Sequence, residues 1–302
     1  MRDEACRCWQ DLFIKNPFVF LTGDLGFGAL EPLREVMGAS FINAGVAEQN
    51  MISVAAGMAS QGCNTWVYSI APFCYARPFE QIRNDICLHN FPVKIVGNGG
   101  GYGYGSMGAS HHALEDYGTL LTLNNMQVYV PAFAADIFPV IHKLAYVNKP
   151  AYLRLGRCEK SIETSVPPYA PLRKLRDGKG PVLLVIGPLA GGILTALQHR
   201  AIEDSPELWL ISELPLQKSE LYKKFIEPLR KKERICVVEE HVAPGGLGQM
   251  IAHFIVTEGL KLKCFRHLYA KGYPSGNYGS QAFHRCESGI DPQTVLQVID
   301  GM

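Results

Sequence analysis

Three stretches of this 302-residue sequence combine residue types and spacings that could do chemistry. The first centres on Glu48, in Phe41-Ile-Asn-Ala-Gly-Val-Ala-Glu-Gln-Asn-Met51. It runs on to Gly62, and Met51, Val54, Ala55 and Met58 recur at helical spacing, so one face of a helix is apolar. Asn43 reads as its N-cap and Gly62 as its stop. Glu48 thus falls in the first turns of an almost chargeless helix. The helix dipole alone would favour a carboxylate there. Held in a mostly apolar cleft, the same group could hand a proton to a ligand nitrogen.

The second stretch is Ala109-Ser-His-His-Ala-Leu-Glu-Asp116, at the end of a glycine-dense run that starts at Asn98. Adjacent histidines suit either a hydrogen-bonded structural pair or proton transfer. His111, His112 and Glu115 do not make a metal-ligand spacing. Gly103-x-Gly105-x-x-Gly108 matches a dinucleotide fingerprint only in form, because no acid follows about twenty residues on. Such glycines more readily let backbone approach a ligand or a partner closely. The third is Arg157, ending the strand pattern 149–157, where a guanidinium suits either bidentate phosphate binding or an ordinary salt bridge.

The elements that must position these groups alternate. Residues 3–14 read as a helix with Cys6, Trp9, Leu12 and Phe13 on its apolar face, and Pro17 ends it. Strands are expected over 18–21, 64–70, 92–97, 126–131 and 149–157, and helices over 72–84 and 134–147. The loop Gly23-Asp-Leu-Gly-Phe-Gly28 makes Asp24 a turn or cap residue. From 158 to 180 the pattern dissolves into prolines and charges and reads as a linker. Strands follow at 181–186, 208–211 and 235–239, with helices within 187–201 and up to about 258, and a closing helix capped near Asp291. The expected fold class is α/β: two domains, each a mostly parallel sheet with helices on both faces. The domains are expected at 1–160 and 181–302, joined by 161–180.

Composition narrows the function. The chain is 47% hydrophobic and 19% charged, as a well-buried globular protein is. With 29 basic and 28 acidic residues it has no charge excess suited to nucleic acid or an anionic membrane surface. No window is long and apolar enough for a transmembrane helix, and the N-terminus lacks the order of a signal peptide. Nine scattered cysteines without metal or redox spacing suit reduced thiols and a cytoplasmic location.

Ala44-Gly-Val-Ala-Glu-Gln-Asn-Met51 resembles the thiamine-diphosphate enzymes of the transketolase group. There this glutamate hydrogen-bonds the cofactor's aminopyrimidine ring and favours the tautomer that generates the reactive ylid, which implies both roles for Glu48. Ala109–Asp116 resembles the group's Gly-Pro/Ala-Thr/Ser-His-Gln-x-x-Glu pattern. It aligns His111 with the histidine that binds substrate oxygens and moves protons, and puts His112 in place of the glutamine. The segment after strand 64–70 corresponds to the one whose aromatics stack on the pyrimidine, which implies Phe73 or Tyr75; Phe79 reads as core. Leu-Arg-Leu-Gly-Arg157 resembles the ending whose arginine grips a sugar phosphate. Met107 stands where the group has an aspartate that contacts a substrate hydroxyl, and a glycine near 99 replaces a histidine. The implied substrate contacts are therefore His111, Arg157, Met107 and His112, in a pocket suited to a modified sugar, a less hydroxylated aldehyde or a 2-oxo acid.

Glu239-Glu-His-x-x-x-Gly-Gly-Leu-Gly248 resembles the group's C-terminal domain, which serves dimer contacts and makes Glu240 and His241 minor catalytic candidates. The resemblance spans nearly the whole chain as pyrimidine-binding domain plus transketolase C-terminal domain. It implies thiamine diphosphate as cofactor, with Mg2+ and the diphosphate held by a separate N-terminal transketolase-like subunit. The expected assembly is a heterotetramer around a dimer of this chain. The expected activity is transfer of a two-carbon ketol or acyl unit from a ketose phosphate to an aldehyde. The alternatives are the β subunit of a 2-oxo acid dehydrogenase, a deoxyxylulose-phosphate-synthase-like ligase, or a structural subunit. NAD binding is a remoter one.

Overall fold

The computed structural model describes residues 1–157, 165–216, 219 and 221–302, without the side chains of Tyr222 and Lys223. Two sheets organise them. The first has strands β1 (Val19–Thr22), β2 (Phe41–Asn43), β3 (Thr65–Ile70), β4 (Val93–Asn98), β5 (Gln127–Tyr129) and β6 (Ala151–Leu155), in the order β5-β6-β4-β3-β1-β2, all parallel. The second contains β7 (Leu172–Arg176), β8 (Val182–Ile186) and β9 (Glu207–Ile211). A short strand, β10 (Glu213–Leu214), closes the β5 edge of the first sheet, antiparallel. Then β11 (Arg234–Val238) and β12 (Cys264–Leu268) return to the second, whose order is β12-β11-β8-β9-β7.

Both sheets are covered on two faces because their strands alternate. Phe20, Trp66, Tyr68, Val96 and Leu153 point to one side of the first sheet, against Trp9 and Leu12 of helix α1 (Arg2–Lys15) and the helix Ile137–Ala145. Their neighbours Leu21, Val67, Ile95 and Tyr152 point to the other. That side packs on Met51, Ile52 and Ala55 of the helix Glu48–Ser60 and on Ile82 and Ile86. A one-residue slip of any strand would exchange the two sets, so the register is firmly fixed. In the second sheet Leu184, Ile211 and Val237 join the same core as the Met51 side, whereas Leu183, Val185 and Val238 face the helix Leu189–Ala196. The two sheets thus share one continuous core.

Residues 172–176, expected in a linker, form β7, which pairs antiparallel with β9. The charges that suggested a linker include Arg173, which is buried against Asp136 at 2.6 Å. The expected boundary at 160–161 lies outside the described residues. Among the described residues no helix is long and apolar enough to cross a membrane.

Candidate active site

Arg157, His111, Phe73 and Glu48 all follow the carboxyl ends of parallel strands: β6, β4, β3 and β2 respectively. That edge is where open α/β sheets bind ligands.

Glu48 is the first residue of its helix and only 4% exposed. Asn43, expected to cap that helix, serves the loop instead. Its side-chain oxygen accepts from the backbone N–H of Asp24 (3.0 Å) and of Gly45 (3.0 Å), and its Nδ2 donates to Asp24 Oδ1 (2.8 Å). This clamps the β1 and β2 loops together, with Asp24 in a left-handed turn (φ 56). The surroundings of Glu48 are not the apolar cleft expected of them, for Arg77 Nη1 donates to Glu48 Oε1 at 2.7 Å. At the end of β3 the buried Ser69 hydroxyl has no hydrogen-bond partner among the described residues. A Cβ on Gly23 would sit 3.5 Å from Glu48 Cγ and 3.7 Å from Ser69 Oγ, so the three positions form one close corner.

Arg77 also caps Phe73, its guanidinium carbon 3.7 Å from the ring centroid. Phe73 meets His111 edge-on, centroids 5.3 Å apart, and His111 meets Tyr104 at 5.7 Å. His111 Nδ1 lies 2.9 Å from Ser110 Oγ. Tyr104 accepts a hydrogen bond from Asn98 Nδ2 at 2.9 Å. Asn98, Tyr104 and Arg157 line one open cleft of about 620 Å3, together with residues of the chain start. Side-chain contacts therefore run from Glu48 through Arg77, Phe73 and His111 to Tyr104, which shares its cleft with Arg157.

Two candidates lie off this path. Tyr75 is buried in the core and its hydroxyl donates to Glu115 Oε2 at 3.2 Å; burial pushes that hydroxyl far above the usual tyrosine range. Its ring is not offered to a ligand, whereas that of Phe73 is half-buried. His112 is 3% exposed, with Nε2 2.8 Å from the Gly105 carbonyl and Nδ1 2.9 Å from Tyr273 Oη. A carbonyl can only accept, so Nε2 carries the proton and Tyr273 donates to Nδ1. Burial lowers its pKa to about 4. With both nitrogens committed, His112 braces the glycine loop against Tyr273. Met107 stands 55% exposed in the short turn Gly105–Met107.

Glu240 and His241, minor catalytic candidates, are likewise structural. Glu240 accepts from Tyr102 N (2.8 Å), Gln281 Nε2 (2.9 Å) and Arg285 Nη2 (2.7 Å), and burial pushes it up to about 7. His241 Nε2 accepts from Gly118 N at 3.1 Å, and its ring stacks on Tyr117 at 3.9 Å. Sequence reasoning assigned no role to Arg77, Tyr104 or Ser69. Only Arg77 carried a local signal, since its i,i+4 spacing from Phe73 makes the two neighbours on a helix.

Fold and site together define a two-sheet α/β protein with a buried acidic residue and an aromatic face at the strand ends of one sheet. Residues 15–160 match the transketolase pyrimidine-binding domain. A protein described as the C-terminal section of a transketolase, from Methanocaldococcus jannaschii, is 32% identical over 234 residues, covering 75% of this chain and 72% of that one. One of the chains of an apulose-4-phosphate transketolase from Actinobacillus succinogenes is 27% identical over 264 residues, covering 85% and 83%. A split-gene transketolase solved as an inactive β4 tetramer superposes with a TM-score of 0.81 at 26% identity, covering 99% of this chain and 97% of that one. The chain belongs to the transketolase family, whose enzymes depend on thiamine diphosphate.

Proposed function

We propose that this chain is the pyrimidine-binding, C-terminal subunit of a split transketolase-like enzyme. The enzyme transfers a two-carbon unit from a ketose phosphate or related donor to an aldehyde. The observation that carries the reading is the buried Glu48 carboxylate, whose Oε1 already bonds a flat N–H donor lying on Phe73. That donor set fits an aminopyrimidine: an aromatic face to stack on, and a carboxylate edge to hold a ring nitrogen. The Ser69 hydroxyl in the same corner, without a partner among the described residues, is a further polar atom for it.

When bound, thiamine diphosphate supplies the electron sink for cleaving and forming the carbon–carbon bond. Glu48 holds a proton at the pyrimidine nitrogen. Phe73 fixes the plane of that ring. His111 binds a reacting oxygen through the nitrogen not engaged by Ser110, and moves its proton. Arg157, at the mouth of the cleft, grips a phosphate; the relative named for apulose 4-phosphate accords with a phosphorylated ketose. Met107 offers no hydrogen bond to a substrate hydroxyl, which favours donors or acceptors with fewer hydroxyls.

The Mg2+ and diphosphate belong to a partner subunit, and the working enzyme is a heterotetramer built on a dimer of this chain. The inactive tetramer of a related β chain supports that division of labour. Calorimetric titration with thiamine diphosphate and Mg2+, on this chain alone and mixed with an N-terminal transketolase subunit, tests the proposal. Tight binding is expected only in the mixture, and should be lost with Glu48→Gln. An unchanged affinity and activity in Glu48→Gln would sink it.

A further inference from the structure

Arg77 occupies both contacts that the cofactor ring is proposed to use. Its guanidinium carbon stands 3.7 Å from the Phe73 centroid, and its Nη1 is 2.7 Å from Glu48 Oε1. A guanidinium is flat, delocalised and edged with N–H donors, so it can stack on an aromatic face and bond a carboxylate at once. An aminopyrimidine combines the same two properties. The two groups cannot share this place, since a ring seated on that face of Phe73 would overlap the guanidinium.

The geometry also provides an exit. Glu48 is 4% exposed but the Arg77 side chain is 45% exposed. Arg77 lies between the short helices Ala71–Tyr75 and Phe79–Gln81, outside either one. Swinging outward returns its charge to water without unwinding a long element. Glu48, in contrast, is fixed in the first turn of a 13-residue helix and cannot follow.

We infer that Arg77 is a placeholder for the cofactor's pyrimidine ring. It keeps Glu48 paired and Phe73 covered until the ring displaces it. The inference rests on the proposed Glu48–Phe73 site. Its consequence is a gate, because apparent affinity is reduced by the fraction of molecules in which Arg77 has swung out. Association is then limited by that swing at high cofactor concentration.

The experiment uses the assembled pair, thiamine diphosphate with Mg2+, calorimetry, and stopped-flow tryptophan fluorescence. Arg77→Met keeps the length of the side chain and removes its charge, donors and planarity. It should tighten the dissociation constant by about tenfold, the scale of one cation–π contact with its ion pair. Its observed association rate should rise linearly with cofactor, whereas the wild-type rate should level off. Arg77→Lys, which keeps the charge but not the plane, should fall between them. Weaker or unchanged binding in Arg77→Met would overturn the placeholder and leave the site standing. If Arg77→Met does not assemble, the wild-type rate decides: a plateau supports the gate, and strict linearity removes it. No binding by the wild-type pair would instead overturn the site itself, and the placeholder with it.

Discussion

A histidine pair looks like one functional unit in sequence, yet its two members have opposite environments. His111 lies against Phe73 and Tyr104, while His112 is sealed between the Gly105 carbonyl and Tyr273. The seal has a testable sign. His112 has a folded pKa of about 4, below the 6.5 of an exposed imidazole. Below pH 6.5 the unfolded chain therefore binds a proton that the fold refuses. Stability should be flat above about pH 7 and fall between 6.5 and 4, by up to about 3 kcal/mol for this group. Urea unfolding across that range should show the slope in the wild type. It should be shallower in His112→Asn, which is also expected to be about 1 kcal/mol less stable at pH 7.5 from lost hydrogen bonding.

The elements around the site are held by close backbone approaches. Gly118 sits in the one-turn helix Asp116–Leu120, where an added Cβ would lie 2.7 Å from His241 Cε1 and 2.9 Å from the Gly245 carbonyl oxygen. Helix propensity favours alanine over glycine by about 1 kcal/mol. The carbonyl is backbone and cannot step aside, so overpacking should prevail at about 2 kcal/mol net destabilisation. Denaturant unfolding of Gly118→Ala will show which effect wins. The same helix carries Asp116, which is fully buried and accepts from Arg154 Nε at 2.7 Å and Tyr152 Oη at 2.9 Å. Arg154 in turn donates to the Ala113 and Glu240 carbonyls at 2.8 and 2.9 Å. The His111 loop is thereby anchored at its far end to β6 and to the second sheet. Asp116→Asn should lower activity of the assembled pair through misplacement of His111, with kcat falling more than cofactor affinity.

At the scale of the whole molecule, the second sheet is more than a platform. Residues that follow its last strand, Tyr273, Gln281 and Arg285, reach across to the glycine loop directly or through Glu240. Removing that carboxylate with Glu240→Ala takes this acceptor from Tyr102 N and two side chains, in a site where Arg285 is 6% exposed. A broken buried pair costs about 3–5 kcal/mol. Because the core runs unbroken between the sheets, that loss should lower the midpoint of one cooperative transition and not split it in two. Differential scanning calorimetry of wild type and Glu240→Ala reads this directly; two resolved transitions in the wild type would contradict the shared core.

What the sequence determined on its own was local. The β-rich run 64–70 and the unbroken apolar run 181–186 specified strands buried on both faces, because a short apolar or β-branched run bounded by turn residues suits a covered parallel sheet. The spacing of Met51, Ala55 and Met58 specified the helix that carries Glu48, and the residues flanking Glu48 and His111 carried the family resemblance. Tertiary structure decided everything that depends on residues distant in the chain. Glu48 meets a cation 29 positions away, and His112 meets Tyr273 at a separation of 161. β7 was hidden because the charge of Arg173 is neutralised by Asp136, far away in sequence. Tyr75 and Phe73, two residues apart and equivalent by composition, were separated by the turn of a single short helix, which buried one ring and left the other half-open. Periodicity records which way a side chain points along its own element. What waits there is set by topology, and topology also brought Arg77 to Glu48.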